Sequence, residues 1–97
     1  MTVVQTTRRD LPVVLHALSD PMRLRIVQAL AGGDELPCGG VGLPVTKSTC
    51  SHHFKVLLDA GVITQRKQGT SRLNALARPE LDAAFPGLLD SILSAAR

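Results

Sequence analysis

At 97 residues with a formal net charge of +3, the chain has room for one domain with a modest core, which a single small domain stabilises only marginally. Hydrophobic residues make up 44% and charged ones 20%, and the aromatics are two Phe with no Trp or Tyr, a poverty that argues against binding single strands by stacking bases on aromatic platforms. No segment approaches the roughly 20 apolar residues that span a bilayer, and residues 1–10 lack the apolar run of a signal peptide. No membrane partner is expected, and the expected compartment is the cytosol, where Cys38 and Cys50 are more readily free thiols than a disulfide.

Residues 1–9 are polar, end in Arg8-Arg9 and show no periodicity, which reads as a flexible N-terminal arm ahead of a single domain over residues 10–97. Asp10 is placed to cap a first helix in which Leu11, Val14, Leu15 and Leu18 form an i, i+3, i+4, i+7 stripe and Pro12 falls in the tolerant first turn. Ser19-Asp20-Pro21 restarts the chain: Asp20 is a good N-cap, Pro21 suits the first helical position, and a second helix runs through Met22, Ile26, Ala29 and Leu30 to Gly32-Gly33. From Asp34 to Thr46, Pro37 and Pro44 bracket glycines at 39, 40 and 42, leaving room only for a short third helix of about one to two turns.

The stretch from Lys47 to Gly61 is the most informative. At helical spacing Cys50, Phe54 and Leu57 share a side and can be buried, whereas Ser48, Ser51, His52 and Lys55 share another, and each of these four carries a hydrogen-bond donor. A helix anchored on one face and presenting short polar and cationic groups on the other suits a DNA groove. Amphipathic surface helices are common and a polar face is often simply solvated, so the flanking elements matter. Gly61 is placed as a left-handed cap, Val62 to Lys67 reads as a strand, Gln68-Gly69-Thr70 as a turn, and Ser71 to Leu76 as a second strand. A helix followed directly by a basic hairpin is the outline of a winged helix. Arg78-Pro79-Glu80 then opens a C-terminal helical segment with Leu81, Ala84, Phe85, Leu88, Leu89 and Ile92 on one stripe, kinked or split at Pro86. The fold class expected is mainly α with one β-hairpin, a winged helix-turn-helix.

Charge is distributed unevenly. From Lys47 to Arg78 six cations stand against the single anion Asp59, net +5, and the remainder carries five cations against seven anions, net −2. The second half is therefore the face expected to meet a polyanion.

With these elements in order, the chain resembles the ArsR/SmtB-type winged-helix repressors of bacteria over residues 10–93. The likeness is carried by Ala17-Leu18-Ser19-Asp20-Pro21-Met22-Arg23-Leu24-Arg25-Ile26, by Ser48-Thr49-Cys50-Ser51-His52-His53-Phe54-Lys55-Val56-Leu57, and by Ala60-Gly61-Val62-Ile63. It implies a homodimer that represses a promoter by binding a double-stranded operator, an imperfect inverted repeat, until a signal or small-molecule inducer weakens binding. It places Lys47, Ser48, Thr49, Ser51, His52 and Lys55 toward the major groove, lets His53 contact phosphate or brace the helix end, and sends Arg66, Lys67 and Arg72 to the neighbouring backbone or minor groove. It also pairs the first helix and the C-terminal segment with their copies, making Leu11, Val14, Leu15, Leu18, Leu88, Leu89 and Ile92 the expected dimer interface.

The chain departs from the metal-responsive members. Where they carry Cys-x-Cys in the third helix, it has Leu36-Pro37-Cys38-Gly39-Gly40, and its C-terminal segment offers Asp82 and Asp90 with no histidine. A non-metal signal is therefore favoured, with no cofactor and no metal site expected. A thiol-redox or metal response through Cys38 and Cys50 is the alternative, because a supporting helix packs across the recognition helix and could bring the sulfurs together. Cys50, His52 and His53 also lack the three or four ligands of a zinc site, and no acid is positioned to orient a Cys/His nucleophile, so no enzyme is expected. His16, beside an apolar stripe, reads as structural. A winged-helix protein-interaction module without DNA binding is the remaining alternative, and it leaves the +5 segment unexplained.

Overall fold

The computed structural model describes residues 9–96. Five helices and one antiparallel hairpin build a winged helix-turn-helix. The arm expected over residues 1–9 falls outside the described residues except for Arg9, whose Nε donates to the Gly61 carbonyl at 2.8 Å. Helix α1 spans Leu11–Ala17, with Asp10 in an extended cap conformation whose side chain makes no capping bond. Val14, Ala17 and the adjoining Leu18 are buried, whereas Leu11 and Leu15 are 42% and 44% exposed. The expected four-residue stripe is thus divided: a helix of seven residues lies on the domain by one narrow edge, and its other apolar side chains face outward.

Asp20 caps α2, Pro21–Leu30, by accepting from the backbone N–H groups of Met22 and Arg23 at 2.8 and 3.2 Å. The inward face of α2 is Arg23, Ile26, Val27 and Leu30, while Ala29 is exposed. Arg23 can turn inward because its guanidinium finds buried acceptors. The expected third helix is a single 3-10 turn, Cys38–Gly40. Two prolines and three nearby glycines leave too little helix propensity for more.

Helix α3, Lys47–Asp59, starts where Thr46 Oγ1 accepts from the Thr49 N–H at 3.2 Å. It ends in a Schellman motif: Gly61 has φ +80°, its N–H reaches the Leu58 carbonyl at 3.0 Å, and the Val62 N–H reaches the Leu57 carbonyl at 3.0 Å. This closure turns the chain straight into β1, Ile63–Gln68, which pairs with β2, Ser71–Leu76, in the register Ile63↔Leu76 to Gln68↔Ser71. Gly69, at φ +63°, takes the left-handed position of the two-residue turn. Leu36 bridges to β2, giving its N–H to Asn74 O at 2.9 Å and accepting from Asn74 N at 2.8 Å.

The C-terminal segment is split as Pro86 requires, into α4, Arg78–Ala84, and α5, Leu88–Ala96, with Gly87 at φ +84°. Leu81 and Leu89 enter the core beside Ile26, Leu30, Leu57 and Val62. Gln28 Nε2 donates to Ala96 O at 3.1 Å and ties the end of α5 to α2. Among the described residues no helix is long and apolar enough to cross a membrane.

Candidate nucleic-acid interface

Along α3 the two faces separate as their spacing requires. Cys50, His53, Phe54 and Leu57 are buried, and Lys47, Ser48, Thr49, Ser51, His52 and Lys55 are exposed. From Lys47 to Lys55 the exposed face runs about 12 Å along the axis. Its first turn is fixed by Thr46, whose Oγ1 also donates to Thr49 Oγ1 at 2.9 Å. Lys55 Nζ lies 3.2 Å from Asp59 Oδ2 in an exposed i, i+4 pair, the orientation-sensitive kind that contributes only a few tenths of a kcal/mol.

His53 stands apart from the other expected groove residues. It is only 9% exposed, and its Nδ1 lies 3.1 Å from Arg23 Nη1. Because a guanidinium can only donate, Nδ1 accepts. The resemblance left His53 either to contact phosphate or to brace the helix; the geometry gives it the brace. Arg23 completes the tie by donating Nε to Ala17 O at 2.6 Å and Nη2 to His16 O at 3.5 Å. His16 itself is exposed, and it serves through its carbonyl.

The hairpin sets its side chains by strand alternation. Gln65, Lys67, Arg72 and Asn74 lie on one face in paired positions. Lys67 and Arg72 stand directly opposite each other, both exposed, a like-charge pairing that destabilises a hairpin unless an anion lies between. The same face turns toward α3: Ser51, Lys55, Arg72, Gln65 and Asn74 line one concavity of about 370 Å³. Arg66 points elsewhere. It donates Nε and Nη2 to the two Glu35 carboxylate oxygens at 2.7 and 2.6 Å. That hydrogen-bonded pairing holds the Glu35 carboxyl below its ordinary value and anchors the hairpin to the loop ahead of the 3-10 turn.

Four contributors escape a reading of the sequence: Arg23, Thr46, Asn74 and Glu35. Thr46 had a signal, since Thr-Lys-Ser-Thr after Pro44 is an N-cap pattern. Asn74 is 1% exposed; its Oδ1 accepts from Gln65 Nε2 at 2.8 Å and its Nδ2 donates to Leu36 O at 3.1 Å, which fixes the inner end of the hairpin face.

The expected interface residues also divide. Val14, Leu18 and Leu89 are buried within the protomer and have almost no surface left to offer a second copy. Leu88 and Ile92 are half-buried against the core, and Leu11 and Leu15 are exposed. Asp82 and Asp90 both face Arg78, at 3.6 and 2.9 Å. Among the described residues no three His, Cys, Asp or Glu side chains gather as a metal would require. Cys38 and Cys50 are free thiols, with sulfurs 3.1 Å apart.

Residues 18–66 match a helix-turn-helix domain family. The chain is 35% identical over 95 residues to the uncharacterized HTH-type transcriptional regulator YceK of Bacillus subtilis, covering 95% of both proteins. It is 35% identical over 75 residues to an arsenical resistance operon repressor of Staphylococcus xylosus, covering 76% of this chain and 72% of the repressor. A solved structure of a possible transcriptional regulator for arsenical resistance superposes with a TM-score of 0.63 at 29% identity, covering 91% of this chain and 99% of that one. The chain belongs to the ArsR-type helix-turn-helix transcriptional regulators, a family of DNA-binding proteins and not of enzymes.

Proposed function

We propose that the chain acts in the cytosol as a homodimeric repressor of a double-stranded operator with imperfect inverted symmetry, released by a signal other than a metal. The observation that carries the DNA-reading part is the concavity shared by Ser51 and Lys55 of α3 and Arg72 of the hairpin. It joins a helix face of groove-compatible donors to Arg72, which stands opposite Lys67 on the hairpin. In this reading Lys47, Ser48, Ser51 and His52 approach base edges, while Lys55, Lys67 and Arg72 meet phosphates, which set affinity and register rather than sequence choice. Thr49 positions the helix start through its bond to Thr46, and Arg66 contributes through Glu35 to the angle of the hairpin. The preference for a non-metal signal is supported by the single cysteine in the 3-10 turn and by Arg78, which engages the two C-terminal carboxylates.

Titrating the full chain into a fluorescent duplex of its own upstream region at several salt concentrations tests this. Lys55→Ala should weaken all duplexes alike and reduce the salt slope by about one unit, whereas Ser51→Ala and His52→Ala should change preference among sequences. Folded variants that all bind as the wild type does would remove this face as the reader. A wild-type chain showing no salt-dependent binding would favour a protein-interaction module instead.

A further inference from the structure

We propose that Cys38 and Cys50 form a reversible dithiol–disulfide site, oxidised by a hydroperoxide, that staples the loop ahead of α3 to α3 itself. The two sulfurs lie 3.1 Å apart. A disulfide needs about 2.05 Å, so closure requires an approach of roughly 1 Å. The two sides differ in their freedom to move. Cys50 projects from the buried face of a 13-residue helix next to Phe54 and Leu57. Cys38 opens the 3-10 turn Cys38–Gly40 in a stretch with Gly42 at φ +73°. The glycine-rich side can supply the displacement and leave α3 in place.

Access is equally unsymmetrical. Cys50 is 8% exposed and borders one opening, of about 280 Å³ beside Gly42, Val45 and Lys47, whereas Cys38 is half-buried and lines both that opening and the concavity beside Ser51 and Lys55. Burial, reinforced by the neighbouring Cys38 sulfur, pushes the Cys50 thiol up to about 11, so it stays protonated at neutral pH. Cys38 is therefore the attacking sulfur and Cys50 the resolving one.

As its thiolate, Cys38 attacks one oxygen of the hydroperoxide. An S–O bond forms, the O–O bond breaks, and the other oxygen leaves as an alcohol, or as water from hydrogen peroxide, taking up the proton released by Cys38. Cys50 then attacks the sulfenic sulfur: the S–S bond forms, the S–O bond breaks, and the hydroxyl departs as water with the Cys50 proton. Two thiols and one peroxide become a disulfide, an alcohol and water. The sulfurs lose two electrons, and the peroxide gains them. A dithiol reductant reverses the change by exchange through a mixed disulfide.

The site stands on the sulfur geometry and not on the DNA reading. Full-length protein is treated with stoichiometric hydrogen peroxide, alkylated and weighed. The expected result is loss of both free thiols, a mass lower by about 2 Da before alkylation and an intrachain Cys38–Cys50 peptide, all reversed by dithiothreitol. The oxidised wild type should also melt about 5 °C or more above the reduced form. Cys50→Ser should accumulate a dimedone-trappable Cys38 sulfenic acid, and Cys38→Ser should leave Cys50 unreacted. Two thiols that survive the treatment, or a bond found only between chains, would overturn the assignment. A duplex titration on the same samples keeps the two readings distinct: a disulfide in a protein without DNA affinity counts against the regulator reading alone, and persistent thiols in a tight DNA binder count against this site alone.

Discussion

Arg23 of α2 and His53 of α3 meet at 3.1 Å inside the protein, and this contact fixes the angle between the helix that carries the reading face and the helix that supports it. The buried cation is held by the Ala17 and His16 carbonyls and the imidazole. Bonds to a charged donor are worth more than neutral ones, and truncating the donor strands its acceptors. Arg23→Ala should lower the unfolding free energy by about 2–4 kcal/mol and His53→Ala by about 1–3 kcal/mol. Urea unfolding of both and of the double variant should show coupling of about 0.5 kcal/mol or more. Strict additivity would mean that the contact carries no stability of its own.

What was legible in the sequence depended on whether local chemistry sufficed. The α3 faces, the Gly61 cap, the hairpin and the break at Pro86 each follow from spacing or from one residue's backbone preference, and each is found. The inward turn of Arg23 is not legible, because an arginine counts as solvated until tertiary structure brings three acceptors to it. The stripe expected on α1, Leu11, Val14, Leu15 and Leu18, is buried only at Val14 and Leu18, because Leu11, Val13, Val14 and Leu15 place apolar side chains nearly all round the helix and period alone does not select the inward ones. His53 was legible as a family position, but only packing separates a brace from a contact.

Glu35 provides a handle on the hairpin. Its hydrogen bonds from Arg66 hold its carboxyl below the ordinary value of 4.5, so this contribution to stability is present above that pH and is lost as pH falls through the lower, folded-state value. Wild-type unfolding midpoints should therefore drop more steeply on the acid side than those of Glu35→Gln. The same variant releases Arg66, which should steepen the salt slope of DNA binding by up to about one unit. Identical acid limbs in the two proteins would show that the pair is not maintained in solution.

Cys50 makes the opposite prediction at high pH. Its folded value, raised to about 11 from 9.0, means that the native state holds the thiol proton more tightly than the unfolded chain does. The associated stability is complete below pH 9, declines as pH rises toward 11, and is of order 1–3 kcal/mol. Under reducing conditions the wild type should lose more stability between about pH 8.5 and 11 than Cys50→Ala, each taken relative to its own value at about pH 7. Parallel curves would contradict a buried, protonated thiol.

Self-association is best tested on α1. Leu11, Val13 and Leu15 are 42%, 47% and 44% exposed, and three large apolar side chains outside one short helix give a small domain a surface that a second copy could cover. Removing α5 would be a poor test, because Leu89 is buried in the protomer and Leu88, Ile92 and Leu93 pack against its core, so the truncated chain should lose its fold together with any dimer. Leu15→Glu changes only an exposed position. It should leave the circular dichroism spectrum and the Arg23–His53 tie intact while shifting sedimentation from dimer toward monomer, with a loss of about tenfold or more in operator affinity, since a dimer holds two half-sites one helical turn, about 34–36 Å, or a multiple of it apart. A Leu15→Glu chain that sediments and binds DNA as the wild type does would place any subunit contact elsewhere and leave the exposed face of α1 without a role in assembly.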